Sequence, residues 1–270
     1  MAASTPVIID AVRSRFGRRG GIHAGIRPDD LLAQTMRACL SRSRLPADAL
    51  EDVVAGCVTQ ASEQGANLAR LSALLAGFPQ HVGGVTLNRM CGSGQQAVHL
   101  AAQAIAAGDA RYVMAGGVES MSRVPMFFDV TLGAPFRNWK ELNPALDAFG
   151  LLGQAESAER LAEKFDLSRG ELDRFSMASH AKAMAASQLA RQRATLTGGA
   201  DDARDEGIRE RIDPHKMASL TPVVRPGGRV TAGNSSQIAD GAAAVLIGDL
   251  AAARADGLVP KAKFRARVAI

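Results

Sequence analysis

An α/β fold with a mainly parallel sheet is what this sequence predicts, and three observations predict it. Through the first 118 residues, short apolar runs alternate with stretches of helical periodicity. The runs are apolar along most of their length, as strands covered on both faces are. The apolar inventory is also aliphatic: 4% of the 270 residues are aromatic, so Ala, Val, Leu, Ile and Met must build the core.

Taken in order, residues 7–12 read as a buried strand. A helix follows over 29–39, with Pro28 ahead of it and Leu31, Leu32, Ala33, Met36, Cys39 and Leu40 gathered on one face. Residues 52–58 form the next predicted strand, 67–76 a helix, 82–88 a strand, 92–107 a helix and 112–115 a strand. The 92–107 helix carries Ala97, Val98, Leu100, Ala101, Ala104 and Ile105 around most of its circumference, which predicts a central, covered helix. Beyond residue 118 the pattern changes. Residues 120–143 contain Pro125, Pro135, Phe127 and Phe128 with no period, and read as irregular. Two helices then follow, over 154–165 and 168–192, the second opened by a Ser168–Glu171 capping box. Residues 196–213 are polar and read as loop, and 242–247 return to strand character. The chain therefore divides into an α/β domain from 1–118 and 238–260, with a mostly helical insertion over 119–237.

Composition sets bounds on function. A chain with 47% hydrophobic and 22% charged residues is globular, and 270 residues suffice for one large domain or two ordinary ones. The net charge of +5 comes from basic residues interleaved with acids, the pattern of solvated faces and not of a nucleic-acid tail. The scarcity of aromatic rings argues the same way against stacking on single strands. An anionic small molecule remains compatible. Cys39, Cys57 and Cys91 form no C-x-x-C pair and share no zinc spacing with histidine, so no metal is expected and a reducing cytoplasm is. No stretch approaches the roughly 18 apolar residues of a membrane span, and the N-terminus does not read as a secretory leader.

One local signal is sharp. Between the strand ending at Asn88 and the helix starting near Gly92 lies Asn88-Arg89-Met90-Cys91-Gly92-Ser93-Gly94. On one reading, Gly92, Gly94 and Ala97 are a dinucleotide fingerprint, with Glu119 as the acid that follows the next strand. On the other, Cys91 is a nucleophile. The positive end of the helix dipole favours thiolate there, and the glycines admit a substrate close to the backbone. Cys39, on a helix face, and Cys57, inside a strand, read as small core hydrophobes.

The decision between these readings comes from a resemblance. The segment from Asn88 to Ala97 resembles the nucleophile motif of the thiolases, the acetyl-CoA acetyltransferase and 3-ketoacyl-CoA thiolase family. So do Ala11-Val12-Arg13-Ser14-Arg15-Phe16-Gly17 and Ala115-Gly116-Gly117-Val118-Glu119-Ser120-Met121-Ser122 in their own places. Thr231-Ala232-Gly233-Asn234-Ser235-Ser236-Gln237 and the residues after it are similar to the family's coenzyme-A-contacting loop. Four motifs in the family's order outweigh one glycine pattern.

The resemblance implies a thiolase-like fold: an N-terminal α/β half and an inserted loop domain that binds CoA. It implies that Cys91 forms an S-acyl intermediate and passes the acyl group to CoA or acetyl-CoA. Ser236 falls beside the pantetheine and Arg209, in Asp205-Glu206-Gly207-Ile208-Arg209, near the adenine nucleotide. No permanently bound cofactor is implied; CoA and acyl-CoA enter as substrates, and the assembly is a homodimer or homotetramer. Glu119 and Asp240 are given structural roles. Two departures are visible. The Gly-His-Pro, Asn-Glu-Ala-like and Cys-x-Gly-Gly segments of the family's second half are not found after Val230, and residues 261–270 resemble the start of that half. The five histidines stand elsewhere; His99 lies eight residues beyond Cys91, roughly 12 Å along the helix. The expectation is a chain that is weakly active or inactive by itself, with a non-catalytic CoA- or partner-binding protein as the alternative. The polar stretch 196–205, where the family usually has an apolar strand, predicts altered geometry near the CoA site.

Overall fold

The computed structural model describes residues 4–131, 145, 150, 153–197 and 204–268. They divide into two compact units. The first comprises Met1–Asp129, Arg193–Glu206 and Ile238–Ile270, and the second Val130–Gln192 and Gly207–Gln237.

The first unit is a seven-stranded sheet with helices on both faces. Its strands are β1 (Pro6–Arg13), β2 (Gly17–Arg18), β3 (Asp52–Gly56), β4 (Val85–Leu87), β5 (Tyr112–Ser120), β6 (Ala239–Asp249) and β7 (Ala262–Lys263). They lie in the order β4-β3-β5-β6-β1-β7, with β2 pairing onto β6. Its main helices are α1 (Pro28–Ser43), α2 (Leu68–Leu75) and α3 (Ser93–Ala107). Alternation along the strands sorts the core in two. Val53, Ala55, Tyr112, Met114, Ala244 and Leu246 point to one face and pack with Leu31, Leu32, Met36 and Cys39 of α1 and Leu68, Ala69 and Ala73 of α2. Val54, Val113, Ala115 and Ile247 point to the other and meet Ala97, Ala101 and Ile105 of α3. Leu246 has 0% exposure in the first cluster. Leu246→Ala is expected to cost about 3 kcal/mol, read from urea unfolding.

Strand direction departs from the expected mainly parallel sheet. The β3–β4 and β3–β5 ladders are parallel, whereas β5–β6, β1–β6, β1–β7 and β2–β6 are antiparallel. Parallel neighbours need a crossover, and α2 and α3 supply those between β3, β4 and β5. The chain between β5 and β6 is long enough to return in either direction, and a continuously apolar strand reads the same both ways. The β1–β6 register also shifts between Ile8 and Asp10, a bulge that leaves Asp10 to accept the Ala11 N–H.

The α3 helix departs as well. Its covered face is Ser93, Ala97, Ala101, Ala102 and Ile105 with His99, while Gln95 and Gln103 are exposed and Leu100 is 39% exposed. Alanine counts as apolar in a periodicity yet costs little at a half-exposed position, so the predicted stripe came out too wide. β5 runs to Ser120, five residues beyond the predicted strand. The loop read over 196–213 is anchored at its start. Leu196 bridges Arg13, and Arg13 donates to both carboxylate oxygens of Asp205 at 2.7 and 3.0 Å. Residues 198–203 lie outside the described part, as does the second half, 132–143, of the irregular stretch read over 120–143. Within residues 261–270, read as the start of a further half, Ala262–Lys263 form the edge strand β7 beside β1, and the Lys261 N–H donates to Ile8 O at 2.8 Å.

The second unit contains α4 (Gln154–Lys164), α5 (Arg169–Ser187) and α6 (Pro214–Ala218). The Ser168–Glu171 capping box forms as the sequence predicts. The helix it opens stops at Ser187, short of 192, and a separate turn, Ala190–Arg193, follows. No helix among the described residues is long and apolar enough to cross a membrane.

Candidate active site

Cys91 lies on the turn between β4 and α3, exposed, whereas Cys39 and Cys57 are buried, and no disulfide joins the three. The turn is over-determined by hydrogen bonds. Asn88 Oδ1 accepts the Met90 N–H at 2.8 Å, an Asx-type closure, and Asn88 Nδ2 donates to Val58 O at 2.9 Å. Ser93 Oγ accepts the Arg89 N–H at 2.8 Å and donates to Met90 O at 2.6 Å, folding the head of α3 back over the turn. Met90 is thereby held at φ 48°, a left-handed conformation that a non-glycine residue adopts only when its surroundings fix it. Its side chain points outward, 60% exposed. The strained residue sits immediately before the thiol and throws Cys91 to the surface at the positive end of α3.

Close approach sets the depth of this turn. A Cβ on Gly56, at the end of β3, would stand 2.3 Å from the Ser93 carbonyl carbon and 2.5 Å from the Gly94 nitrogen. The absence of a side chain there lets the first turn of α3 rest on the strand backbone.

The two buried thiols are unsuited to nucleophilic work. Burial, helped by the nearby Asp10 charge, pushes the Cys39 thiol up to about 12. Burial and then Glu119 push Cys57 up further. Both stay protonated at neutral pH.

The dinucleotide reading fails on two geometric counts. In that motif the strands before and after the helix are neighbours, whereas here β3 separates β4 from β5. Glu119, the acid that reading needs for a ribose, is engaged inside the protein. It accepts the Val58 N–H at 2.8 Å, the Thr59 N–H at 3.3 Å and Gln64 Nε2 at 2.7 Å. Asp240, given a structural role from the sequence, is fully buried and accepts the Ser122 N–H at 2.9 Å.

Ser236 and Arg209 belong to the second unit. Ser236 is exposed just after a short turn, Ala232–Asn234. Two buried carboxylates fix the approach to that turn. Glu159 accepts the backbone N–H groups of Arg229 and Val230 at 2.7 and 2.9 Å, and Asp173 accepts Asn234 Nδ2 at 2.9 Å. Neither carboxylate was singled out from the sequence, since their partners lie some sixty to seventy residues away and no local spacing marks them. The role of Asn88 is not predicted from the sequence, although an asparagine two residues before a tight turn is the signal for it.

Arg209 is exposed, and its backbone N–H donates to His180 Nδ1 on α5 at 3.2 Å. Partial burial and the Arg209 charge lower the His180 pKa below its ordinary 6.5. The bond requires the neutral ring, so the folded state resists protonation. The unfolded chain then binds more protons as pH falls through about 6.5, and stability from this contact is present above that value and lost below it. The protection factor of the Arg209 amide, followed by NMR hydrogen exchange from pH 8 to 5, is expected to fall below 6.5 and to stay constant with pH in His180→Gln.

Among the described residues no cluster of three or more His, Cys, Asp or Glu is arranged to hold a metal ion.

Comparison with known proteins bears on this site. The family described as "Thiolase, N-terminal domain" matches residues 6–250. The chain is 43% identical over 266 residues to a steroid 3-ketoacyl-CoA thiolase of Mycobacterium tuberculosis, covering 95% of this chain and 65% of that protein. Among solved structures, it resembles human mitochondrial 3-ketoacyl-CoA thiolase in complex with CoA, with a TM-score of 0.83 and 31% identity, covering 95% of this chain and 68% of that one. It also resembles the Bacillus anthracis acetyl-CoA acetyltransferase, with a TM-score of 0.82 and 31% identity, covering 96% and 69%. The chain thus spans about two thirds of the length of each of these proteins.

Proposed function

We propose, from the fact that the chain belongs to the thiolase family, that it carries the acyl-accepting nucleophile of an acyl-CoA acyltransferase and that this nucleophile is Cys91. With acetyl-CoA as donor, the Cys91 sulfur adds to the thioester carbonyl. The new C–S bond forms, the bond to CoA sulfur breaks, and CoA leaves as the thiol, carrying the proton Cys91 gave up. The S-acyl group then passes to the thiol of CoA or to the α-carbon of acetyl-CoA: the bond to Cys91 sulfur breaks, and the proton lost from the acceptor restores the Cys91 thiol, which divides one difficult transfer into two easier ones. The observation that carries this reading is the placing of Cys91: exposed, at the head of α3, on a turn whose strained Met90 is held from both sides. The positive end of α3 favours charge accumulating on sulfur and on the acyl oxygen.

The α/β domain, 1–118 with 238–260, supplies this chemistry, and the insertion 119–237 binds the CoA moiety. Ser236 contacts the pantetheine and Arg209 the adenine nucleotide, where a guanidinium suits phosphate or a stacked base. Their exposure and the carboxylate bracing of the 229–234 segment support these roles. CoA and acyl-CoA are substrates, and no cofactor is retained. The protein works in the reducing cytoplasm, where an exposed thiol persists, and as a homo-oligomer, a dimer or tetramer. Exposed Leu71, Leu74 and Leu75 on α2 and Val85 on the edge strand β4 support association.

The test is mass spectrometry of the 270-residue chain after incubation with acetyl-CoA. An acetyl group on Cys91, discharged by added CoA, is the expected result. CoA binding with no adduct on Cys91 would overturn the nucleophile and leave the non-catalytic CoA-binding alternative standing.

A further inference from the structure

We infer that Glu119 is a positioning residue for Cys91, acting through the Val58–Thr59 peptide and the side chain of Asn88. The inference deepens the proposed function and rests on its reading of Cys91 as nucleophile.

Glu119 stands near the end of β5, and its two oxygens accept the Val58 N–H, the Thr59 N–H and Gln64 Nε2. Gln64, fully buried, closes the cage. The same Nε2 also donates to Thr59 O at 2.9 Å, while its Oε1 accepts the Ser120 N–H at 2.7 Å. An ionised acceptor thus holds a loop outside the sheet ladders, with charge-assisted bonds stronger than neutral ones. The Cys57 thiol faces the same oxygens, with Sγ 3.9 Å from Oε2.

The peptide between Val58 and Thr59 is held from both ends. Its N–H points to Glu119 at 3.3 Å, and its C=O accepts Asn88 Nδ2 at 2.9 Å. Polarisation of that amide by the carboxylate makes the carbonyl a better acceptor, so the two bonds reinforce one another. Asn88 then spends its Oδ1 on the Met90 N–H at 2.8 Å, the bond that keeps Met90 at φ 48° beside Cys91. The order is therefore Glu119, peptide 58–59, Asn88, Met90, Cys91. A charge on β5 reaches the nucleophile turn through three hydrogen bonds and touches no reacting atom. The Asn88 bond is the amide side of the pair that holds the strain at Met90, the Ser93 bond to its carbonyl being the other.

The test measures two rates in the folded full chain: alkylation of Cys91 by iodoacetamide, and hydrogen exchange of the Met90 amide against that of Met36 in α1. Buried Cys39 and Cys57 keep the alkylation signal specific to Cys91. Two variants break the relay at different places. Glu119→Gln keeps the shape but turns an N–H toward the N–H donors. Asn88→Asp keeps the acceptor for Met90 and replaces the donor to Val58 O with a second acceptor; Asn88 is exposed, so this variant folds even where Glu119→Gln does not. Each is expected to slow alkylation about fivefold and to speed Met90 exchange by a similar factor, leaving Met36 unchanged. The double variant is expected to be no slower than the slower single, and Glu119→Asp to recover part of the rate. Rates within twofold of the unmodified chain in both variants, effects that multiply in the double, or Met36 exchange rising equally with Met90 would each overturn the proposal. Failure of the nucleophile reading looks different: the unmodified chain then takes no acetyl group from acetyl-CoA, whatever the relay variants do.

Discussion

Replacing Cys91 with serine is expected to eliminate the acetyl adduct, lowering acylation at position 91 by about 10³-fold or more. A serine hydroxyl is far less acidic than a thiol, and the field at the head of α3 is too weak to ionise it. Neither remaining cysteine can substitute. Cys39 is 0% exposed and Cys57 1% exposed, and burial holds both thiols protonated. Cys91 is at the surface, so the substitution should change stability by no more than about 0.5 kcal/mol. Unfolding curves for both proteins, run beside the mass measurement, separate lost chemistry from lost fold. An adduct surviving in Cys91→Ser would move the nucleophile elsewhere.

The second large effect is expected at Gly56. In Gly56→Ala the new methyl meets the Ser93 carbonyl carbon at 2.3 Å and the Gly94 nitrogen at 2.5 Å. These are backbone atoms and have no rotamer to yield, so the head of α3 must lift from β3. The expected cost is about 3 kcal/mol or more in urea unfolding. A displacement of about 1 Å in the attached turn would also lower acetylation of Cys91 by about 10²-fold in the protein that remains folded. Gly77→Ala is the contrast. Gly77 has φ +81° but open space around its Cβ position, so only backbone strain of about 1 kcal/mol is expected and no effect on Cys91. Equal stability losses at the two positions would show that steric contact at Gly56 does not set the depth of the turn.

Much of this site was legible in the chain itself. The capping box at Ser168 and Glu171, the α1 stripe from Leu31 to Leu40 and the strands around Val7, Val53 and Val113 all depend on residues close in sequence. Cys91 was legible for the same reason: the Asn88–Gly94 turn is built by its own neighbours, and its Asn, Ser and Gly are the residue types such a turn demands. Side chains that act at a distance were not. Glu159 and Asp173 hold the segment before Ser236 from helices far away in sequence, and nothing near them distinguishes a clamp from a solvated acid. The dinucleotide fingerprint at Gly92 and Gly94 shows the converse, since a local pattern was satisfied while strand order and the engagement of Glu119 ruled out its usual meaning.

By itself the sequence determined the α/β class, the aliphatic core, the order of elements, the family and the identity of the candidate nucleophile. Periodicity, turn chemistry and motif order are properties of neighbouring residues, and they survive without a folded partner. Tertiary structure alone decided that the sheet is mixed, that α3 is covered on one side, and that Glu119 reaches the Cys91 turn through a peptide and an asparagine. An apolar strand pairs in either direction, and a carboxylate accepts from whichever N–H the fold presents. Those choices are made only when segments distant in sequence meet.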